Sequence, residues 1–417
     1  MIEWNEMHLA IRDAIRRFVD AEIKPNLEAL EHGDTPPYAI LRKLVATFGM
    51  GDLARGRFAA ELARHKARDE AAARGEAPAP KKERAPSPEA GMEVAMQLIP
   101  IVELCRYSPG MVTALGVSMG LTSAAIMSRG TVAQKEKWAL PLLTLETIGA
   151  WAITEPGSGS DAFGGMKSTA RRDGNGGYLL NGAKTFITNG PYADTIVFIC
   201  KLDEGDAVAP KDRKLVSFIL DRGMPGLTQS KPLRKMGLHA SPTGELFLED
   251  VKVGRDRLIG ETEDLPARSG AKDTFTMERT GVAAMALGIV SQCLELSVDY
   301  ARTRVQFGKP IGEFQLIQLK LAKMEVARMN IQNLVFRQIE MAAAGKSMGI
   351  AEASACKLYS AQAAMDVCLE AVQLFGGNGY MAEYQVEQLC RDAKVLQIYG
   401  GTDEIQISQI ARSLLAQ

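Results

Sequence analysis

The stretch Trp151–Asp161, WAITEPGSGSD, stands where the texture of the chain changes, and its reading decides the architecture. An apolar run suited to a strand enters a turn rich in glycine and flanked by hydroxyls. Such a turn can lay backbone donors and Thr or Ser hydroxyls along a polar heteroaromatic rim or a phosphate. Downstream, short β-rich runs at Tyr178–Leu180, Thr195–Lys201, Leu215–Asp221 and Glu245–Leu248 alternate with Asn175-Gly176, Asn181-Gly182 and Asn189-Gly190. Asn-Gly pairs between such runs predict hairpins, so residues 148–262 are expected to form an antiparallel, barrel-like β domain.

On both sides of it the pattern is helical. Leu9, Ile11, Ile15, Phe18 and Val19 recur at helical spacing in an N-terminal domain expected over residues 1–147. Within it an Ala/Arg-rich stretch leads into EAPAPKKERAPSPEA, with prolines at 78, 80, 86 and 88. Prolines at that density forbid regular helix or a central strand, and we read a flexible insert at about 54–92. Phe314, Ile317, Leu321, Met324, Ile331 and Val335 form the stripe of one long helix, and Met285, Ile289, Cys293 and Leu296 that of another. Residues 263–417 are therefore expected to be an antiparallel helix bundle. The fold class is α+β, in the order α, β, α.

Composition narrows the function. Lys and Arg number 49 against 50 Asp and Glu, without the basic surplus of a nucleic-acid binder. The six cysteines are scattered and the four histidines lie near none of them, so no metal site is expected. Free cysteines in apolar stretches fit a reducing compartment. The N-terminus has acidic residues and no continuous apolar core, which argues against a signal or transit peptide and for a bacterial-type cytoplasmic location. Tyr107–Ser128 carries no charge, but its many Gly, Ser and Thr residues mark it as a buried helix rather than a membrane span.

Four further segments carry chemistry. Phe186-Ile187-Thr188-Asn189-Gly190 places an aromatic face and a hydroxyl near the first loop, although Phe186 could equally be sheet core. Arg304–Ile311, RVQFGKPI, sets an arginine beside a Gly-Lys-Pro turn, suited to a pyrophosphate or simply to capping a helix. Gln373–Tyr380, QLFGGNGY, is a glycine cluster richer than a helix stop needs. Arg391–Ile405, RDAKVLQIYGGTDEI, ends a charged helix in a bare Gly400-Gly401 turn whose N–H groups are open to a ligand carbonyl.

In this order and on an α–β–α frame, the five segments resemble the acyl-CoA dehydrogenase family over nearly the whole chain outside the insert. The resemblance implies FAD, an acyl-CoA thioester substrate, electron-transfer flavoprotein as partner, and a homotetramer built as a dimer of dimers. It implies that Trp151, Ile153, Thr154 and Ser160 line the flavin ring, with Ser160 also at the start of the CoA channel. Phe186 and Thr188 would pack beside the ring; many relatives have Trp at Phe186. Arg304, Gln306, Phe307, Phe314 and Gln315 would hold the pyrophosphate and adenosine, and Gln373 and Gly377 would reach them from the neighbouring subunit. Thr402 and Glu404 would flank the cofactor again.

Dehydrogenation between Cα and Cβ needs a base for the α-proton. Short- and medium-chain relatives place a Glu at the position of Gly400, where glycine can do no such work. Relatives of the isovaleryl and long-chain type place it instead where this chain has Thr276-Met277-Glu278-Arg279. Glu278 is thus the expected base, although as a bare residue it reads as a helix-start acid. Thr276, Arg279, Gly400 and Gly401 would contact substrate, Gly400 through its N–H, with Arg279 directed toward the CoA or a subunit contact. The alternatives weighed are an acyl-CoA oxidase-like relative and a non-catalytic subunit of a heteromeric dehydrogenase.

Overall fold

A computed structural model describes residues 3–33, 35–76, 85–206, 208–264 and 267–416, without the side chains of 267–277. The chain opens with helices α1 (Glu6–Phe18), α2 (Leu27–His32), α3 (Tyr38–Thr47), α4 (Met50–Ala73) and α5 (Pro88–Cys105). Asn5 starts α1 as a cap, accepting from His8 N at 2.9 Å, and Ser87 with Pro88 starts α5. The run continues through α6 (Pro109–Leu115), α7 (Ser123–Arg129), α8 (Val132–Gln134) and α9 (Leu140–Leu143). Pro109–Arg129 is apolar enough to cross a membrane, yet half of its most apolar window is buried inside the fold.

The flexible insert expected at about 54–92 needs correction. Met50–Ala73 is one helix of 24 residues, and α5 begins already at Pro88. Ala, Arg and Glu are strong helix formers, so a composition that looked disordered favours helix. Phe58 and Leu62 anchor α4 by burial, and it packs against α3 and α9. The prolines at 78 and 80 lie outside the described residues.

The middle of the chain is one sheet of β1 (Gly149–Ala152), β2 (Thr169–Arg172), β3 (Tyr178–Thr188), β4 (Thr195–Leu202), β5 (Leu215–Asp221), β6 (Leu227–Gln229) and β7 (Thr243–Val253). Its order is β1-β4-β2-β3-β7-β6, with β5 on β4. β4 is buried along its whole length and feeds two cores by alternation. Ile196, Phe198, Cys200 and Leu202 enter one core; Val197 and Ile199 enter the other. The sheet is mixed rather than wholly antiparallel, because β1 and β2 both run parallel to β4. Those pairs join strands distant in sequence, and a hairpin signal reports only neighbours.

Asn175-Gly176 lies in the β2–β3 hairpin as expected, but Asn181-Gly182 is not a turn. Gly182 sits inside β3 at a register shift, where a Cβ would come 2.2 Å from Ser168 Oγ. The bulge lets the strand run on to Thr188.

The last part comprises α10 (Ala267–Thr303), the hairpin β8 (Val305–Gln306) and β9 (Lys309–Pro310), α11 (Gln315–Ala343), α12 (Ile350–Phe375), α13 (Gln385–Lys394) and α14 (Asp403–Leu415). The expected stripes hold: Met285, Ile289, Cys293, Met324, Ile331 and Val335 are buried in one cluster. That cluster also takes in Ile99 and Val102 of α5, so the N- and C-terminal helices share a core. At the contact a Cβ on Gly288 would meet Val102 O at 2.2 Å, so only glycine lets α5 and α10 approach this closely.

Candidate active site

Glu278 of α10 lies directly against the Tyr399–Thr402 turn that leads into α14. Gly400 and Gly401 have φ of +62° and +92°, a region natural to glycine. A Cβ on Gly400 would stand 3.2 Å from Glu278 Cδ and 3.4 Å from its Oε1. The side chain of Glu278 therefore occupies the space that a side chain at position 400 would use.

Both glycine carbonyls of the turn are engaged. Gln406 Nε2 donates to Gly400 O at 3.0 Å and to Gly401 O at 2.8 Å. Arg279 Nε donates to Gly400 O at 3.4 Å, and Lys357 Nζ to Gly401 O at 2.8 Å. The two glycine N–H groups, by contrast, have no hydrogen-bond partner among the described residues. Beside the turn, Tyr399 donates its hydroxyl to Met285 Sδ at 3.2 Å.

Electrostatics set Glu278 apart. The residue as a whole is half-buried, but its carboxyl lies deep enough that burial pushes its pKa up from 4.5 to about 7. The charges of Arg279 and Lys357 pull the other way. Arg279 donates Nη1 to Ser354 Oγ at 3.0 Å, and Lys357 faces Asp403 at 3.6 Å. Among the described residues no donor reaches the Glu278 carboxylate.

The sequence reading directs Arg279 toward the CoA or a subunit contact, and the structure turns it inward instead. It is buried, because Ser354 and the Gly400 carbonyl offer acceptors that a guanidinium in the interior requires. The side chain of Thr276 lies outside the described residues.

The Trp151–Asp161 loop is held by a pair that sequence reading missed. Glu155 and Lys184 are both buried, with Lys184 Nζ 2.9 Å from Glu155 Oε1 and 3.1 Å from Ile153 O. Glu155 also accepts from Lys167 N at 2.6 Å and Ser168 N at 2.9 Å. Burial would raise its pKa, but Lys184 and these donors more than offset that and hold it below the usual carboxylate range. Around the pair, Trp151, Thr154 and Thr188 are partly buried and Ser160 is exposed. Ile153 differs from the expected rim position, since its side chain packs in the core and only its carbonyl faces Lys184.

Phe186 is 69% exposed and has φ of +57°, at the second register shift of β3. A bulky residue there is a backbone outlier whose face the fold holds out to solvent. It is not sheet core. Asn189, also at positive φ, donates to Ala114 O and Gly149 O at 2.9 Å and accepts from Tyr38, tying the sheet to the N-terminal helices.

Two more motifs gather at one end of the bundle. Phe307 and Gly308 form the tip of the β8–β9 hairpin with positive φ, and Phe307 is 94% exposed. Its ring meets Phe314 edge-on at 6.1 Å. Arg304, Gln306 and Gln315 are exposed around it. Tyr300 stacks on Phe375 at 4.1 Å and accepts from Asn378 Nδ2 at 3.0 Å, which brings the Gln373–Tyr380 cluster to the same end. Gln373 and Gly377 are exposed there. Thr402 stands at the N-cap of α14, and Glu404 is exposed in its first turn.

These segments match known family models. The acyl-CoA dehydrogenase middle-domain model covers residues 150–251 and the C-terminal-domain model residues 269–415. The chain belongs to the acyl-CoA dehydrogenase family. A short-chain-specific acyl-CoA dehydrogenase of Megasphaera elsdenii is 39% identical over 325 residues, covering 78% of this chain and 83% of that one. An acyl-CoA dehydrogenase of Bacillus subtilis is 36% identical, with 97% of each covered. A subunit of the caffeyl-CoA reductase–Etf complex of Acetobacterium woodii is 36% identical, covering 75% of this chain and 80% of that one. Among solved structures, butyryl-CoA dehydrogenase from M. elsdenii superposes with a TM-score of 0.83 at 32% identity, covering all of both chains. Glutaryl-CoA dehydrogenase from Mycobacterium smegmatis, in complex with FADH2, gives a TM-score of 0.80 at 26% identity, with 99% of this acyl-CoA dehydrogenase and 96% of that chain covered.

Proposed function

We propose that this acyl-CoA dehydrogenase converts an acyl-CoA thioester to its trans-2-enoyl-CoA, with Glu278 taking the α-proton. The observation that carries this reading is a carboxylate packed on a glycine turn, free of donors among the described residues, with a pKa near 7. A base poised there is substantially ionised at physiological pH and still a strong enough acceptor. Gly400 N–H, with its carbonyl held by Gln406 and Arg279, can polarise the thioester oxygen and lower the α-proton's pKa. This is the isovaleryl and long-chain placement of the base.

The exposed motif residues fit FAD. Phe186 presents an aromatic face next to Thr185, whose N–H donates to Thr154 O in the Trp151–Ser160 loop. Gly157 and Gly159 of that loop have open space around them. Trp151, Thr154, Ser160, Phe186 and Thr188 would hold the ring. Arg304, Gln306, Phe307, Phe314 and Gln315 would hold the pyrophosphate and adenosine, with Gln373 and Gly377 of a neighbouring subunit and with Thr402 and Glu404. When bound, FAD supplies the acceptor for the hydride that leaves the β-carbon.

Glu278→Gln tests the reading in the purified holoenzyme. The variant should keep its yellow colour while acyl-CoA-driven bleaching slows by about 10²–10⁴-fold. Bleaching at the normal rate would remove Glu278 from the mechanism.

The proposed electron acceptor is an electron-transfer flavoprotein, supported by the relative named as part of an Etf complex. A homotetramer is supported by Phe307 at 94% exposure and by Leu316, Leu319, Val326 and Met329, which leave an apolar face on α11 uncovered. Sedimentation of the FAD-loaded protein as a monomer would overturn that assembly. We further propose domain limits near residues 147 and 262 and a cytoplasmic setting, which the six unpaired cysteines support.

A further inference from the structure

The Lys357 side chain has no solvent exposure at all, which is rare for a lysine and demands an account. It stands on α12 one turn beyond Ser354, so the two share a face. That face meets the glycine turn and the start of α14. Ser354 takes Arg279, and Lys357 Nζ donates to Gly401 O at 2.8 Å with Asp403 Oδ1 3.6 Å away. An apolar side chain could fill the same space without desolvating a charge.

We propose that Lys357 is a positioning residue for proton removal: held between Gly401 O and Asp403, its ammonium fixes the glycine turn against which Glu278 packs. This rests on Glu278 being the base. Among the described residues, the groups that face Glu278 are Arg279 from its own helix, Lys357 from α12, and the Tyr399 phenol from the turn. Asp403 of α14 lies behind Lys357 and partly neutralises it. Both cations favour the carboxylate while burial opposes it. Of the two, Lys357 is set by a counter-charge that can be changed separately.

That arrangement makes opposite predictions for two substitutions. Lys357→Met removes a cation, so Glu278 holds its proton to higher pH. Asp403→Asn leaves Lys357 less neutralised, so Glu278 releases its proton at lower pH. The experiment is stopped-flow bleaching of FAD-loaded protein by butyryl-CoA across about pH 5 to 9, with thermal melting alongside.

The acidic limb of the rate profile should move up by about one pH unit in Lys357→Met and down in Asp403→Asn. Lys357→Met should also lose at least about tenfold in maximal rate as the turn loosens. Lys357→Gln can still donate to Gly401 O, so it should recover rate but keep the upward limb. If all three profiles keep the wild-type limb while melting points fall, Lys357 is merely structural and the proposal is wrong. Should Lys357→Met not fold, the direction of the Asp403→Asn limb decides. Glu278→Gln run beside them separates the two ideas: retained bleaching there removes the base, whereas lost bleaching with unmoved limbs removes only the lysine.

Discussion

Glu155 and Glu278 both hold a carboxylate away from water and close to lysine, and they behave in opposite ways. Glu155 bonds Lys184 directly and accepts two backbone N–H groups, which hold its pKa below the usual range. Glu278 has Arg279 and Lys357 nearby, but both cations are bonded to other acceptors and its pKa rises to about 7. Desolvation is common to both. What differs is whether the neighbouring donors are aimed at the carboxylate. A satisfied carboxylate is a rivet; one whose cations are occupied elsewhere can exchange a proton.

Neutralising each carboxylate should separate them by sign. Glu155→Gln leaves Lys184 charged and fully buried, and should cost about 3–5 kcal/mol of stability. Glu278→Gln should do the reverse at high pH. The folded pKa of Glu278 lies above its unfolded value, so wild-type stability falls as pH rises from 4.5 to about 7 and stays low beyond. The glutamine variant escapes that loss, a gain of up to roughly 3 kcal/mol at about pH 8 that vanishes below about pH 4.5. Melting both variants at about pH 4 and about pH 8 checks the pair; a shared sign at the higher pH would break the comparison.

Gly400→Ala sharpens it on a smaller scale. The left-handed φ of +62° costs an alanine about 1–2 kcal/mol, and the new methyl presses on Glu278 Cδ. We expect bleaching to slow about tenfold while FAD is retained, because the displaced carboxylate loses its aim. An alanine variant bleaching at the wild-type rate would show that Glu278 does not act from its place against the turn.

Much of the fold was legible because it is periodic. The stripe from Phe314 to Val335 became α11, and Leu215–Asp221 became β5 with the same limits. Features set by long-range contact were not. The parallel pairing of β1 with β4 joins Gly149 to Thr195, and nothing local announces it. Helix α4 was misread because Ala, Arg and Glu serve both disorder and helix, and only the burial of Phe58 and Leu62 decides between them. At the candidate site, Glu278 and Gly400, which the motifs single out, lie against each other. Glu155, Lys184, Lys357 and Gln406 were missed because a single charged or amide residue ordinarily signals the surface. The usable signal for Lys357 was its setting among small residues, since Ser354, Ser360 and Ala361 are all buried beside it on α12.

The contact between Gly400 and Glu278 has a consequence for descent. The two positions are one volume with two possible owners, so the tolerance of either residue to change depends on which letter the other holds. A lineage carrying acids at both would crowd like charges into a space that favours ionising only one. Relocating the proton acceptor would then require a paired exchange, and sequence surveys should find the two positions anticorrelated.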